Sequence, residues 1–133
     1  MKQRILIIDD QPEWLEFAKD ELREYRLEVA KSSEAALQKL EKKNYDLIIT
    51  NIRRLDVLQA MAEQYPENHV VVMTISPSTR EAAMAYRLGA MDYFPRSFKP
   101  QSVLTVVEEA MRKAIKQKSA LPNAQRALKA RAL

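Results

Sequence analysis

The chain has no cysteine, one histidine (His69), one glycine (Gly89) and one tryptophan (Trp14) among 133 residues. Without cysteine there is no disulfide, no thiolate nucleophile and no Cys-ligated zinc. A single histidine leaves no His-rich metal site and argues against a Ser-His-Asp triad. Long apolar runs are also missing, so no segment has membrane-spanning length. The apolar start Ile5-Leu6-Ile7-Ile8 is cut off by Asp9-Asp10 and is too short for a signal-peptide core. The expectation is a cytoplasmic protein with one main domain, long enough to bury a core.

Acid is missing from one stretch. Residues 112–133 carry Arg112, Lys113, Lys116, Lys118, Arg126, Lys129 and Arg131 with no Asp or Glu, a charge of +7 against −3 for the rest. Contact with nucleic acid or an acidic partner is one reading. A solvated helix end, whose cations suit the helix dipole, is the other. The stretch has no aromatic residue for base stacking and no helix-turn-helix pattern. Nucleic acid is therefore disfavoured, and any such contact would be electrostatic and steeply salt-dependent. Residues 1–118 are expected to form the globular domain. Residues 119–133 would be a basic tail or helical extension: a linker to an output domain, or a short dimerising helix.

The apolar runs alternate with helical patterns. Arg4–Ile8 reads as a buried strand closed by Asp9-Asp10. Gln11-Pro12-Glu13 opens a helix, with Pro12 near its first position, and Trp14, Leu15, Ala18, Leu22 and Tyr25 recur at helical spacing. Arg26–Ala30 alternates polar and apolar like an edge strand. Ser33 is expected to cap a second helix over Glu34–Lys43, stopping at Asn44. Leu47–Ile49 is a strand buried on both faces that ends at Asn51. A third helix, from about Asp56 to Tyr65, turns Leu58, Met61, Ala62 and Tyr65 inward.

Val70–Met73 is a fourth strand closing at Thr74. Ser78-Thr79-Arg80-Glu81 has capping-box spacing and starts a helix that stops at Gly89. Met91–Phe94 is a fifth strand, and Pro100 starts the last helix, with Val103, Leu104, Val107, Met111, Ala114 and Ile115 inward. Right-handed crossovers make this an α/β protein with a doubly wound parallel sheet and helices on both faces. The edge-like second strand argues for the order 2-1-3-4-5. That order gathers Asp9, Asp10 and Asn51, with Thr74 and Arg96, at the carboxyl end of the sheet, where ligands sit in such folds.

With those residues side by side, roughly residues 3–118 resemble the receiver domain of bacterial response regulators, a flavodoxin-like fold of the chemotaxis type. Asp9-Asp10 match the acidic pair that holds Mg²⁺ in that family. Asn51 falls where the family has its phosphoacceptor aspartate. Thr74 and Tyr93 fall on the switch threonine and the switching aromatic. Arg96-Ser97-Phe98 falls on the Lys-Pro-Phe motif, and Leu88-Gly89-Ala90-Met91-Asp92-Tyr93 matches the lead-in to the last strand.

The departures carry the functional expectation. The resemblance implies a carboxylate nucleophile helped by Mg²⁺ and a lysine, but Asn51 is a neutral amide and Arg96 replaces the lysine. Ser97 replaces the cis-proline, so its peptide bond should be trans. Ile75 stands where a small residue is usual, and the loop after the third strand is about seven residues short. The expectation is a non-enzymatic pseudo-receiver with no cofactor and a weak or absent Mg²⁺ site at Asp9 and Asp10. Arg53, Arg54 or Arg96 could bridge Asp9 or Asp10 in place of metal, although Arg53 and Arg54 could equally be solvated.

By the resemblance, such a module would contact a signalling protein through the fourth helix, fifth strand and fifth helix, a homodimer being an alternative. Two other functions stay open. One is phosphorylation on a bypass acid, Asp9, Asp10 or Asp56. The other is nucleic-acid contact by the basic C-terminus.

Overall fold

The computed structural model describes residues 2–51 and 55–120. Strands β1 (Arg4–Ile8), β2 (Arg26–Ala30), β3 (Leu47–Thr50), β4 (Val70–Thr74) and β5 (Asp92–Pro95) alternate with helices α1 (Pro12–Glu21), α2 (Ser33–Lys42), α3 (Leu55–Gln64), α4 (Thr79–Arg87) and α5 (Ser102–Ala120). The strands pair in parallel in the order β2-β1-β3-β4-β5. The doubly wound, flavodoxin-like expectation holds.

The sheet divides the core in two by simple alternation. Ile5, Ile7, Leu47, Ile49, Val71 and Met73 face one side, where Trp14, Leu15, Ala18 and Leu22 of α1 meet Val103, Val107, Ala110 and Met111 of α5. Leu6, Ile8, Ile48, Val70 and Val72 face the other, against Ala36 and Leu40 of α2, Val57, Leu58 and Met61 of α3, and Ala85 of α4. The period of two explains why the inner strands read as unbroken apolar runs. Truncating a buried leucine such as Leu6 to alanine would cost about 2–5 kcal/mol.

Helix starts follow local chemistry. Pro12 opens α1, where a missing N–H costs nothing. Ser32, not Ser33, caps α2: its side chain accepts from the Ala35 N–H at 3.1 Å. Ser78 caps α4 through the Glu81 N–H, and Gly89 ends it with φ 97°, a conformation that favours glycine. The last strand sits one residue later than expected, and α5 begins at Ser102 instead of Pro100.

Two residues expected inside lie outside. Ala62 is exposed, and so is Ile115 at 57%. At 100° per residue, Ile115 lies about 120° round from Val103, off the buried stripe, and Ala110 takes the inner place. Ala62 is displaced in the same way, with Val57 buried instead.

The first turn of α5 contains no acid of its own. Its free N–H groups are met by Glu21, at the end of α1. Glu21 Oε2 accepts from Gln101 N at 2.9 Å, and Oε1 accepts from Val103 N at 3.1 Å and Leu104 N at 3.4 Å. A carboxylate there also suits the positive end of the helix dipole. The loop between β5 and α5 is thus tied down at its far end. The basic tail, apart from the last turn of α5, lies outside the described residues, as do Arg53 and Arg54. No described helix is long and apolar enough to cross a membrane.

Candidate functional site

A cleft of about 220 Å³ opens at the carboxyl ends of the strands, lined by Asp10, Gln11, Asn51, Thr74, Ile75, Ser76, Glu81 and Arg96. The topology therefore collects Asp10, Asn51, Thr74 and Arg96 as the sequence implies. Asp9 and Asp10 differ in their surroundings, however. Asp10 is exposed on the cleft wall, while Asp9 is 2% exposed and turned beneath Arg96.

Asp9 is surrounded by donors. Its Oδ1 accepts from the backbone N–H of Asp10 at 2.8 Å and of Gln11 at 3.1 Å, the turn a short acidic side chain makes with its own chain. Its Oδ2 accepts from Arg96 Nη2 in an ion pair whose side chains are only 4% and 2% exposed. Arg96 Nη1 donates to Gln11 Oε1 at 2.7 Å. A planar guanidinium can reach two acceptors at once in fixed geometry, as an ammonium on a flexible stem cannot.

Aromatic rings hold the other side of this cation. Arg96 Cζ lies 4.7 Å from the centre of the buried Trp14 ring, a cation–π contact strengthened by burial. Phe98 meets Trp14 edge-on at 5.8 Å, and Phe17 closes the cluster at 5.4 Å from Phe98. Backbone contacts fix the loop: Arg96 N donates to Thr74 O at 2.7 Å, and Ser102 Oγ donates to Ser97 O at 3.0 Å. No described peptide bond is cis, as Ser97 led one to expect. Burial pulls the Arg96 guanidinium down to about 10, which leaves it cationic at neutral pH.

This donor set fits Mg²⁺ poorly. A hard dication wants several charged or carbonyl oxygens around it. Here both Asp9 oxygens already accept hydrogen bonds, one from a buried cation, and the β3 end offers the neutral amide of Asn51. Asp10 faces the cleft without a cluster of three or more His, Asp or Glu side chains among the described residues to complete a site.

Tyr93 is tied to α4 in a way that spacing alone did not suggest. Its hydroxyl accepts from Ser78 N at 3.1 Å and donates to Glu81 Oε2 at 3.1 Å. In a capping box the glutamate reaches back to the cap residue directly; here the phenol stands between them. Burial is the main cause that pushes the Tyr93 hydroxyl up, with Glu81 adding to it. Thr74 Oγ1 accepts from Ser76 N at 3.2 Å and so closes the strand end.

Residues 5–108 match the response regulator receiver domain family. The chain belongs to that family. The receiver match is accompanied by likeness to the DNA-binding transcriptional regulator NtrC of Proteus hauseri. The two are 32% identical over 80 residues, 56% of this chain and 17% of that protein. Among solved structures, a CheY-like receiver domain protein from Methanospirillum hungatei JF-1 superposes with TM-score 0.80 at 22% identity, over 88% of this chain and 99% of its own. NtrX from Brucella abortus gives 0.82 at 23%, over 90% and 29%. At such identities these structures speak to the fold alone. This receiver sequence spans 17% to 20% of the curated regulators NtrC and LuxO that it matches.

Three residues at or beside the receiver site, and the α5 cap Glu21, were not singled out by the sequence. Gln11 follows the acidic pair directly, and its place on the α1 side of the cleft was the available signal. Glu81 was visible only as a capping residue, and Trp14 only as core, which it also is. Glu21 had no signal, because the backbone N–H groups it accepts from begin 80 residues later, at Gln101.

Proposed function

We propose that this receiver works without phosphoryl transfer, as a non-enzymatic signalling module read by a protein partner. The observation that carries the reading is Asn51. It lies on the cleft at the end of β3, where the family resemblance places the phosphoacceptor aspartate, and a carboxamide is not a nucleophile that accepts a phosphoryl group. The charge balance supports the same reading, since Asp9 is neutralised by Arg96 and needs no metal to be stable where it lies.

The contact surface would be the face of α4, β5 and α5. On it Tyr86 is 49% and Ile115 57% exposed, and Lys113 pairs with Asp92 at 2.7 Å. Tyr93, through Ser78 and Glu81, ties the start of α4 to this face. A receiver held in one arrangement would offer that surface constantly, and the partner's abundance would set the signal. A second copy of the chain is the alternative occupant.

One observation favours a second reading: Asp10 is an exposed carboxylate on the cleft wall and could take a phosphoryl group in place of position 51. Of the other bypass candidates, Asp9 is covered by Arg96, and the Asp56 side chain lies outside the described residues. Intact mass after incubation with a small-molecule phosphodonor and Mg²⁺ tests the choice. The expected result is no adduct on the natural chain. An adduct would overturn the proposal, and its loss in Asp10→Asn would assign it to Asp10.

A further inference from the structure

The disagreement between this pocket and Mg²⁺ has a definite agent. Three independent contacts converge on the Arg96 guanidinium: the ion pair to Asp9, the hydrogen bond to Gln11 and the cation–π contact with Trp14. The three partners lie at the end of β1 and on the first turn of α1, not on β3. Changing Asn51 alone removes none of these three contacts.

We propose that Arg96 is the resident cation of this pocket, balancing Asp9 in place of a divalent ion, with Gln11 and Trp14 as its positioning residues. This deepens the reading above but fails separately from it. The pocket refuses Mg²⁺ while Arg96 is seated, whatever stands at position 51. A dication brought to Asp9 would meet a positive charge already desolvated there and would have to displace it from all three partners at once. Lysine at position 96 could not span Asp9 and Gln11 with a planar fork or stack flat on the indole.

The chain suits a direct test, because Trp14 is its one tryptophan and its emission reports on the ring beneath Arg96. Mg²⁺ alone is titrated into the natural chain, Asn51→Asp and Asn51→Asp/Arg96→Lys, with affinity read by calorimetry and Trp14 emission followed in parallel. The expected result is no change in Trp14 emission for the natural chain. The double variant should bind Mg²⁺ at least about tenfold more tightly than Asn51→Asp, equivalent to about 1.4 kcal/mol.

Equal affinity in the two variants would overturn the proposal, as would a saturable Mg²⁺ response of Trp14 in the natural chain. Should the double variant fold poorly, Asn51→Asp/Gln11→Ala gives a second route. Loosening one of the three contacts is expected to tighten Mg²⁺ binding about threefold, and no tightening there would also sink the idea. Phosphodonor labelling of the natural chain would contradict the proposed function instead, leaving the Mg²⁺ comparison to be judged by itself.

Discussion

Two ion clusters in this receiver use the same kinds of charge in opposite ways. At the carboxyl end of the sheet, Asp9 and Arg96 are almost fully buried and share their environment with Gln11 and Trp14. On the β2 edge, Glu28 gathers Lys39 and Lys43 at 3.2 Å each, Arg4 at 3.9 Å and the Tyr45 hydroxyl at 3.2 Å. Those cations are 34% to 48% exposed. The open cluster has more partners, yet water screens each of them. The buried cluster has one pair, with side chains only 4% and 2% exposed, and that pair is the one proposed to set what the cleft can bind. Number of ion pairs is a poor guide to consequence here; desolvation is the better one.

Breaking the buried pair should have the largest effect. Arg96→Met would leave Asp9 buried and uncompensated and is expected to cost about 3–5 kcal/mol in denaturant unfolding. Asp9→Asn/Arg96→Met should recover most of that loss, because the cost comes from an orphaned charge rather than from a missing attraction. A single-variant loss below about 1 kcal/mol would put the Asp9–Arg96 pair in the same class as the Glu28 cluster.

Tyr93→Phe should fall between the two clusters, at about 1 kcal/mol, since the Ser78 N–H and Glu81 would have to turn to water. Thermal unfolding beside the natural chain would check this. Glu28→Gln should do least, about 0.2–1 kcal/mol, and 1 M salt should remove much of that difference while leaving the Arg96 effect nearly intact.

The Glu28 cluster also makes a pH prediction. Burial pushes the Glu28 carboxyl up, but hydrogen bonds from Lys43, Lys39 and Tyr45 outweigh it and hold it below the usual 4.5. A carboxylate lowered on folding contributes stability that is present above 4.5 and is lost as pH falls through its folded value. Unfolding titrations of the natural chain and Glu28→Gln should therefore diverge above about pH 4.5 and converge in more acid solution. Divergence that grows towards low pH would reverse the sign and exclude the Glu28 assignment.

Much of this contrast was legible in the sequence, and the part that was not has a physical reason. Unbroken apolar runs at Ile5–Ile8 and Val70–Met73 marked strands covered on both faces, and the alternation in Arg26–Ala30 marked the edge. The strand order then placed Asp9, Asp10, Asn51, Thr74 and Arg96 at one end. Choice of partner was not legible. β1 and β5 are separated by β3 and β4 in the sheet, so whether Arg96 reaches Asp9 or Asp10 depends on rotamers and on the seat provided by Trp14. Spacing carries no record of either. Tyr93 was picked out from the family pattern, but its place inside the α4 capping box depends on an approach between β5 and α4 that no local motif encodes. Ala62 and Ile115 were misplaced because a residue at the margin of a helical stripe is assigned by the tertiary neighbours it meets, not by its period.

The most direct measurement is intact mass of Asn51→Asp and Asn51→Asp/Arg96→Lys after the same exposure to a small-molecule phosphodonor and Mg²⁺. If the seated guanidinium closes this site, the double variant gains a phosphoryl adduct while Asn51→Asp alone remains essentially unlabelled. Labelling of Asn51→Asp as complete and as fast as the double variant would contradict the account, leaving Asn51 as the whole of the difference from a phosphorylated receiver.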